Sequence, residues 1–189
     1  MRVITGTARG RKLKEPENYD VRPTTDRVKE SMFNIIQFDI EGRRVLDLFA
    51  GTGQLGIEAL SRGAAHAVFT DDSPVSVKTV RENVKMTGFE KVSSVIQCDA
   101  IAYIGRGEKF DIIFLDPPYD TKLLDIALEK IFEFDILKEN GIIVCESKME
   151  KQMPDLPLPY KKLKEYKYGK IKITLYTKIS EIETKGIEE

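Results

Sequence analysis

Short apolar runs of β character alternate with amphipathic helical stretches five times along this chain, and that alternation leaves few folds open. The strand-like runs are Arg43–Ala50, His66–Asp71, Val92–Cys98, Phe110–Asp116 and Gly141–Ser147. Between them fall helical patterns. Val28, Met32, Ile35 and Ile36 share one face of a first helix. A second runs from Gly53 to Arg62 and is closed by Gly63. A third opens on Ser73-Pro74, carries Val77, Val80 and Val84, and ends at Gly88. Ala100–Ile104 is a short helix, and Leu123, Leu124, Ala127, Leu128, Ile131 and Phe132 make a longer helical face. Repeated strand–helix–strand units imply a parallel sheet covered by helices on both faces. Tyr160–Tyr168 and Lys170–Lys178, hinged at Gly169, read as a hairpin that adds an antiparallel edge. The fold class is therefore α/β. Ligands in such sheets bind beyond the carboxyl ends of the strands, near the switch in strand order.

A chain of 189 residues suits one domain. Residues 1–25 read as a small, basic N-terminal β arm with short strands, 26–178 as the sheet that carries the chemistry, and 179–189 as a polar tail expected to fray. With 41% apolar and 32% charged residues the composition is that of an ordinary globular protein. No apolar run approaches a membrane span, and the first residues lack the long apolar stretch of a signal peptide. A cytoplasmic protein without membrane attachment is expected. Cys98 and Cys145 both lie in apolar runs and read as buried thiols. One histidine, His66, opens a strand and reads as structural. With two separated cysteines it makes no metal site.

The net charge of −1 conceals an asymmetry. Residues 1–14 hold Arg2, Arg9, Arg11, Lys12 and Lys14 and no acid. Residues 161–172 hold Lys161, Lys162, Lys164, Lys167, Lys170 and Lys172 against Glu165. Two basic segments on an acidic body suit either solvated surfaces or a local polyanion footprint.

Gly51-Thr52-Gly53-Gln54-Leu55-Gly56 is a G-x-G-x-x-G sequence between a strand and a helix, with Asp71 20 residues beyond Gly51. Taken mechanically, this is the context of a dinucleotide fingerprint. Asp47 argues otherwise. A carboxylate near the end of the strand that feeds the loop would repel a pyrophosphate resting on the helix N-terminus. It would suit the ammonium and sulfonium of S-adenosylmethionine, which has no phosphate. In that reading Ala50, Gly51, Thr52 and Gly53 let the backbone approach the ligand. Asp71, or its neighbour Asp72, accepts from the ribose hydroxyls, and Asp99, after the third strand, takes the adenine amino group. A tight turn beside a solvated strand end is the plain alternative.

Asp116-Pro117-Pro118-Tyr119 ends the most apolar strand. Two prolines stop the strand and stiffen the loop at its carboxyl end. A turn alone needs neither the Asp nor the Tyr. The Asp116 carboxylate and the Pro117 carbonyl can accept both N–H bonds of an aromatic amine, and Tyr119 can stack on the base. Two acceptors draw the amine lone pair out of the ring and aim it at a methyl group. Direct displacement on a sulfonium then needs no covalent intermediate, and positioning supplies most of the acceleration. A base that begins stacked or paired must first be flipped out.

Four stretches together resemble the bacterial ribosomal RNA small subunit methyltransferase D family. They are Arg9-Gly10-Arg11-Lys12-Leu13, the segment from Arg22-Pro23-Thr24-Thr25 to Glu30, Asp47 to Gly56 continued through Glu58 to Ala64, and Asp116 to Tyr119. The last two are shared by many amino-methyltransferases; the first two point to this family. The resemblance implies a seven-stranded Rossmann-like sheet, mostly parallel, with an antiparallel last strand. It implies S-adenosylmethionine as cofactor and the N2 amine of a guanine in 16S ribosomal RNA as acceptor, within an assembled or assembling small subunit. It places Thr24 at the cofactor and Arg9, Arg11, Lys12 and Arg22 at the RNA. The position after the second strand usually bears Glu in such enzymes and is Asp71 here.

Three other functions are open to the same residues. An N6-adenine methyltransferase of RNA or DNA would use the same tetrapeptide, though 189 residues leave no room for a separate DNA-recognition domain. An NAD-dependent oxidoreductase would use the glycine fingerprint, but Asp47 and the missing acid–base histidine speak against it. A non-catalytic RNA-binding protein would not need Asp116-Pro117-Pro118-Tyr119. A monomer is expected.

Overall fold

The strand order of the sheet places every candidate carboxylate on one rim. The computed structural model of the chain describes residues 1–15, 26–119 and 121–180. Its helices are α1 (Asp26–Ile35), α2 (Gln54–Ser61), α3 (Pro74–Thr87), α4 (Ala100–Ile104) and α5 (Leu123–Glu133). The strands are β1 (Arg44–Asp47), β2 (His66–Asp71), β3 (Ser93–Gln97), β4 (Phe110–Leu115), β5 (Leu137–Lys148), β6 (Tyr160–Tyr168) and β7 (Ile171–Lys178). They form one seven-stranded sheet in the order β3-β2-β1-β4-β5-β7-β6. The pairs from β3 to β5 are parallel, and β7 runs antiparallel to both β5 and β6. The α/β class and the reversed last strand are as the sequence implies. The edge strand β6, however, runs with the parallel set, because β7 inserts between it and β5. The order reverses between β1 and β4, so the switch point falls there.

Alternation along the strands divides the core in two. Val45, Phe69, Ile112, Phe114 and Val144 face α1, α2 and α3. Leu46, Val68, Ile113, Leu115 and Cys145 face α4 and α5. Local chemistry sets the helix ends. The Ser73 side chain accepts from the Ser76 N–H at 3.3 Å with Pro74 at the first helical position, and α3 closes on Gly88 in the left-handed region.

Several boundaries differ from the sequence reading. β1 stops at Asp47 instead of running to Ala50. Leu48 and Ala50 are buried as loop residues: the Leu48 N–H reaches the Phe114 carbonyl at 3.2 Å and the Ala50 N–H the Thr70 carbonyl at 2.9 Å. Their apolar character reflects burial under the rim, not membership of the ladder. β5 begins earlier than Gly141, at Leu137, with a register shift opposite Phe110/Ile112 and Asn140 at φ 57°. The polar Lys138-Glu139-Asn140 hid that irregular start. Cys145 is buried as expected, whereas Cys98 lies just past β3 and is only half-buried.

The basic segments differ from each other. In the arm, Arg2 and Lys12 form an antiparallel bridge, and Val3, Ala8 and Leu13 are buried. Glu58, fully buried on α2, accepts the N–H groups of Ile4 (2.8 Å) and Thr5 (3.0 Å), and Ser61 Oγ accepts that of Ala8 (3.0 Å). Lys29 on α1 is equally buried, donates to the Arg2 carbonyl at 2.6 Å and lies 3.9 Å from Glu58. Along β6 and β7, Lys161, Lys164, Lys167 and Lys170 are exposed, which protects an edge strand. Lys172 is buried instead, bonded to the Lys151 carbonyl at 2.6 Å and paired with Glu165 at 3.1 Å.

Candidate active site

The carboxyl ends of β3, β2, β1 and β4 carry Asp99, Asp71, Asp47 and Asp116 in that spatial order. Asp47 is the last residue of β1 and is 2% exposed. Its carboxylate accepts the Gly56 N–H at 2.9 Å, which ties the strand end to the first turn of α2. Burial pushes the Asp47 carboxyl up to about 7; the Gly56 bond opposes this and the nearby Asp71 charge adds to it. Asp71 is half-buried. One oxygen accepts the Gly51 N–H at 2.8 Å and the other the Ser73 N–H at 3.0 Å. Asp72 is exposed and offers its carbonyl to Gln97 at 3.3 Å.

The loop is shaped by two glycines in different ways. Gly53 sits at φ 78°, the left-handed region, as the residue that opens α2. Gly56 has an ordinary helical backbone, but a Cβ there would lie 2.3 Å from the Phe69 ring. The Gly53 N–H bonds the Ala50 carbonyl at 2.6 Å. The N–H groups of Gly51, Gly53 and Gly56 are thus turned to protein acceptors, two of them carboxylates. A pyrophosphate needs such donors and no nearby negative charge. The two carboxylate acceptors therefore suit a cationic ligand with hydroxyls better than a pyrophosphate.

Thr52 is buried, with Oγ1 3.3 Å from Met1 Sδ, and its carbonyl accepts from Asn83 Nδ2 at 2.9 Å. The same amide donates to the Lys14 carbonyl (3.0 Å) and accepts the Lys14 N–H (2.7 Å). Asn83, absent from the sequence reading, thereby joins arm and loop. Asp99 is exposed and caps α4, accepting the Ala102 N–H at 2.8 Å. It sits on β3's rim, two strands from Asp47.

Asp116 follows β4 directly and is half-buried, Pro117 is buried, and Pro118 is exposed. The Tyr119 hydroxyl donates to Glu146 on β5. A cavity of about 290 Å³ opens here, lined by Pro117, Pro118, Tyr119, Leu124, Glu146 and Lys151 among others. Such a volume is at the lower end of small-ligand pockets. Glu146, 3% exposed, is the second residue that sequence reasoning missed. Its signal is a lone carboxylate near the end of the otherwise apolar Ile142–Cys145 run, the same signal that singled out Asp47.

Not every expected residue gathers here. Arg9, Arg11 and Lys12 are exposed on the arm. Ala8 meets Ser61 at the far end of α2, so Arg9 is separated from the glycine loop by about 12 Å of helix. Arg22 and Thr24 lie outside the described residues. His66 Nε2 lies 3.1 Å from Ser94 Oγ, away from the rim. Among the described residues no group of three or more His, Cys, Asp or Glu could hold a metal, and no helix is long and apolar enough to cross a membrane.

Residues 1–177 match the family described as Conserved hypothetical protein 95. A Bacillus subtilis relative named "Putative rRNA methyltransferase YlbH" is 41% identical over 94% of this chain and 99% of its own length. The Escherichia coli protein named "Ribosomal RNA small subunit methyltransferase D" is 34% identical over 93% of this chain and 89% of its own. Among solved structures, an Escherichia coli protein described as "Putative methyltransferase yhhF" superposes with TM-score 0.86 at 32% identity, covering 95% of this chain and 98% of that one. A Salinibacter ruber RNA methyltransferase in complex with S-adenosyl-L-homocysteine has TM-score 0.64 at 21% identity, a likeness of fold. With its rim of four carboxylates, its glycine loop and these matches along nearly its whole length, the chain belongs to the ribosomal RNA small subunit methyltransferase D family.

Proposed function

We propose that this chain methylates the exocyclic N2 amine of a guanine in 16S ribosomal RNA. The cofactor is S-adenosylmethionine, in keeping with the family. The observation that carries the reading is the adjacency of two loops. The glycine loop leaves β1 and Asp116-Pro117-Pro118-Tyr119 leaves β4, and these strands are direct neighbours in register, Asp47 beside Phe114.

When bound, the cofactor supplies an electrophilic methyl group on a sulfonium. Asp47 lies under the loop as the counter-charge, and Asp71 supplies acceptor oxygens for hydroxyls. Ala50, Gly51, Thr52 and Gly53 form the wall, and Asp99 sits where a base amine would be met. Asp116 and the Pro117 carbonyl accept the N–H bonds of the target amine, which localises its lone pair. As the N–C bond would form and the sulfur–methyl bond break, with S-adenosylhomocysteine as leaving group, positive charge would develop on the amine nitrogen; Asp116 would stabilise it until one amine proton is lost. The prolines hold both acceptors still, so positioning rather than covalent chemistry lowers the barrier. Tyr119 presents its ring to a flipped base. The exposed Arg9, Arg11 and Lys12 meet RNA phosphates, together with Arg22, while Thr24 completes the cofactor site. The enzyme acts as a cytoplasmic monomer on an assembled or assembling small subunit; the name of the Escherichia coli relative supports the RNA class alone, that of the small ribosomal subunit.

The test is transfer of labelled methyl to small subunits from cells lacking this gene, to protein-free small-subunit RNA and to unmethylated DNA, followed by nucleoside analysis. N2-methylguanosine in the subunit lane is the expected result. N6-methyladenine in any lane would discard the guanine assignment and keep the cofactor site.

A further inference from the structure

Glu146 is unusual for its place. Its strand neighbours on the same face, Ile142 and Val144, belong to the apolar core, yet its carboxylate is 3% exposed and turned to the cavity beside the catalytic loop. The last paired row of β4 and β5 joins Leu115 to Cys145. Asp116 and Glu146 are the next residues on the two strands, which run about 4.8 Å apart. A buried carboxylate costs free energy unless it is hydrogen-bonded. The Tyr119 hydroxyl supplies one bond. A carboxylate can accept more than one hydrogen bond.

Resting on the proposed guanine reading, we infer that Glu146 selects the base: its carboxylate accepts the N1–H of the guanine whose N2 amine is held by Asp116 and the Pro117 carbonyl. The chemistry of the two purines decides the matter. In guanine, the ring atom beside the reactive amine is N1–H, a donor. In adenine, the corresponding neighbour of the N6 amine is N1 with a lone pair, an acceptor. A carboxylate next to the amine pocket therefore bonds guanine and repels adenine. A site built to accept a hydrogen bond rejects an analogue that lacks the donor, because its own polar group is then left unpaired. The tetrapeptide cannot make this distinction, since it holds only the amine.

2-Aminopurine separates base reading from chemistry. It keeps the 2-amine but has a bare N1. Small subunits assembled with guanine or 2-aminopurine at the target position would be compared by kcat/KM. The wild-type enzyme should favour guanine by at least tenfold. Glu146→Gln, whose amide can donate to a bare N1, should narrow that preference to less than threefold, with adenosylhomocysteine affinity changed by less than twofold. Equal use of the two bases by the wild type overturns the inference whether or not the variant folds. An unchanged preference in Glu146→Gln, with both rates reduced alike, assigns Glu146 to holding Tyr119 and also overturns it. Failure of the wild type to form N2-methylguanosine in ordinary subunits would instead overturn the underlying guanine reading.

Discussion

The loops after β1 and β4 meet at the same rim but are built in opposite ways. The glycine loop is fastened by its own backbone: Gly51 and Gly56 donate to Asp71 and Asp47, and Gly53 to Ala50. The proline loop has two residues without an N–H, and its tie to the neighbouring strand is a side chain, the Tyr119 hydroxyl on Glu146. The first arrangement uses acidic side chains to shape a backbone, so the course of the loop is set by carboxylates on two neighbouring strands. The second uses a stiff backbone to present side chains and a carbonyl. If the proposed function holds, with binding at the first loop and transfer at the second, the two are expected to separate by substitution.

The largest separation is expected at Asp116. Asp116→Ala should lower kcat by about 10²–10³-fold or more while leaving adenosylhomocysteine affinity within twofold by calorimetry. Lost affinity with residual turnover would merge the two loops into one function. At the other loop, Asp47→Asn keeps an acceptor for Gly56 and removes the charge. Cofactor binding above pH 7 should weaken by about 1.5–3 kcal/mol, the worth of a charge-assisted hydrogen bond.

That variant also carries a pH signature. The folded chain holds the Asp47 proton up to about pH 7, against the ordinary 3.8 when unfolded. Unfolding between these values releases a proton, so this group makes stability fall as pH rises from about 4 to 7 and leaves it level above. Denaturant midpoints across that window should lose this fall in Asp47→Asn; an unaltered profile would mean that Asp47 ionises at its ordinary pH. Smaller again is Gly56→Ala, whose Cβ meets the Phe69 ring. It should cost about 1–3 kcal/mol of stability and weaken the cofactor, sparing the relative rates on guanine and 2-aminopurine. A variant as stable as the parent would show that the loop gives way easily.

Much of this was legible in the sequence for a physical reason. The placement of Asp47, Gly51, Gly53, Asp71 and Asp116 at one rim follows from short segments whose strand–turn–helix context is written in hydrophobic period and in glycine and proline. Glu146, Asn83 and Lys172 were not legible, because each depends on what faces it from a distant element. Nothing near Asn83 announces that its amide meets Lys14 and Thr52, and nothing near Lys172 announces that it is buried while Lys170 is exposed. The sequence shows the arm as basic but not as docked, because the residue that seats it, Glu58, lies more than fifty residues away. The early end of β1 was obscured because burial and strand membership give the same apolar letters.

The arm also has a history in time. Its anchors come late: Glu58 and Ser61 follow Ile4 and Ala8 by 54 and 53 residues, and Asn83 follows Lys14 by 69. During synthesis the arm emerges ahead of its anchors and is fastened only once α2 and then α3 are made. Until then a stretch rich in arginine and lysine is free beside the very ribosome that is making it. The Asn83 amide that fastens Lys14 also holds the Thr52 carbonyl, so the arm and the glycine loop share one anchor on α3.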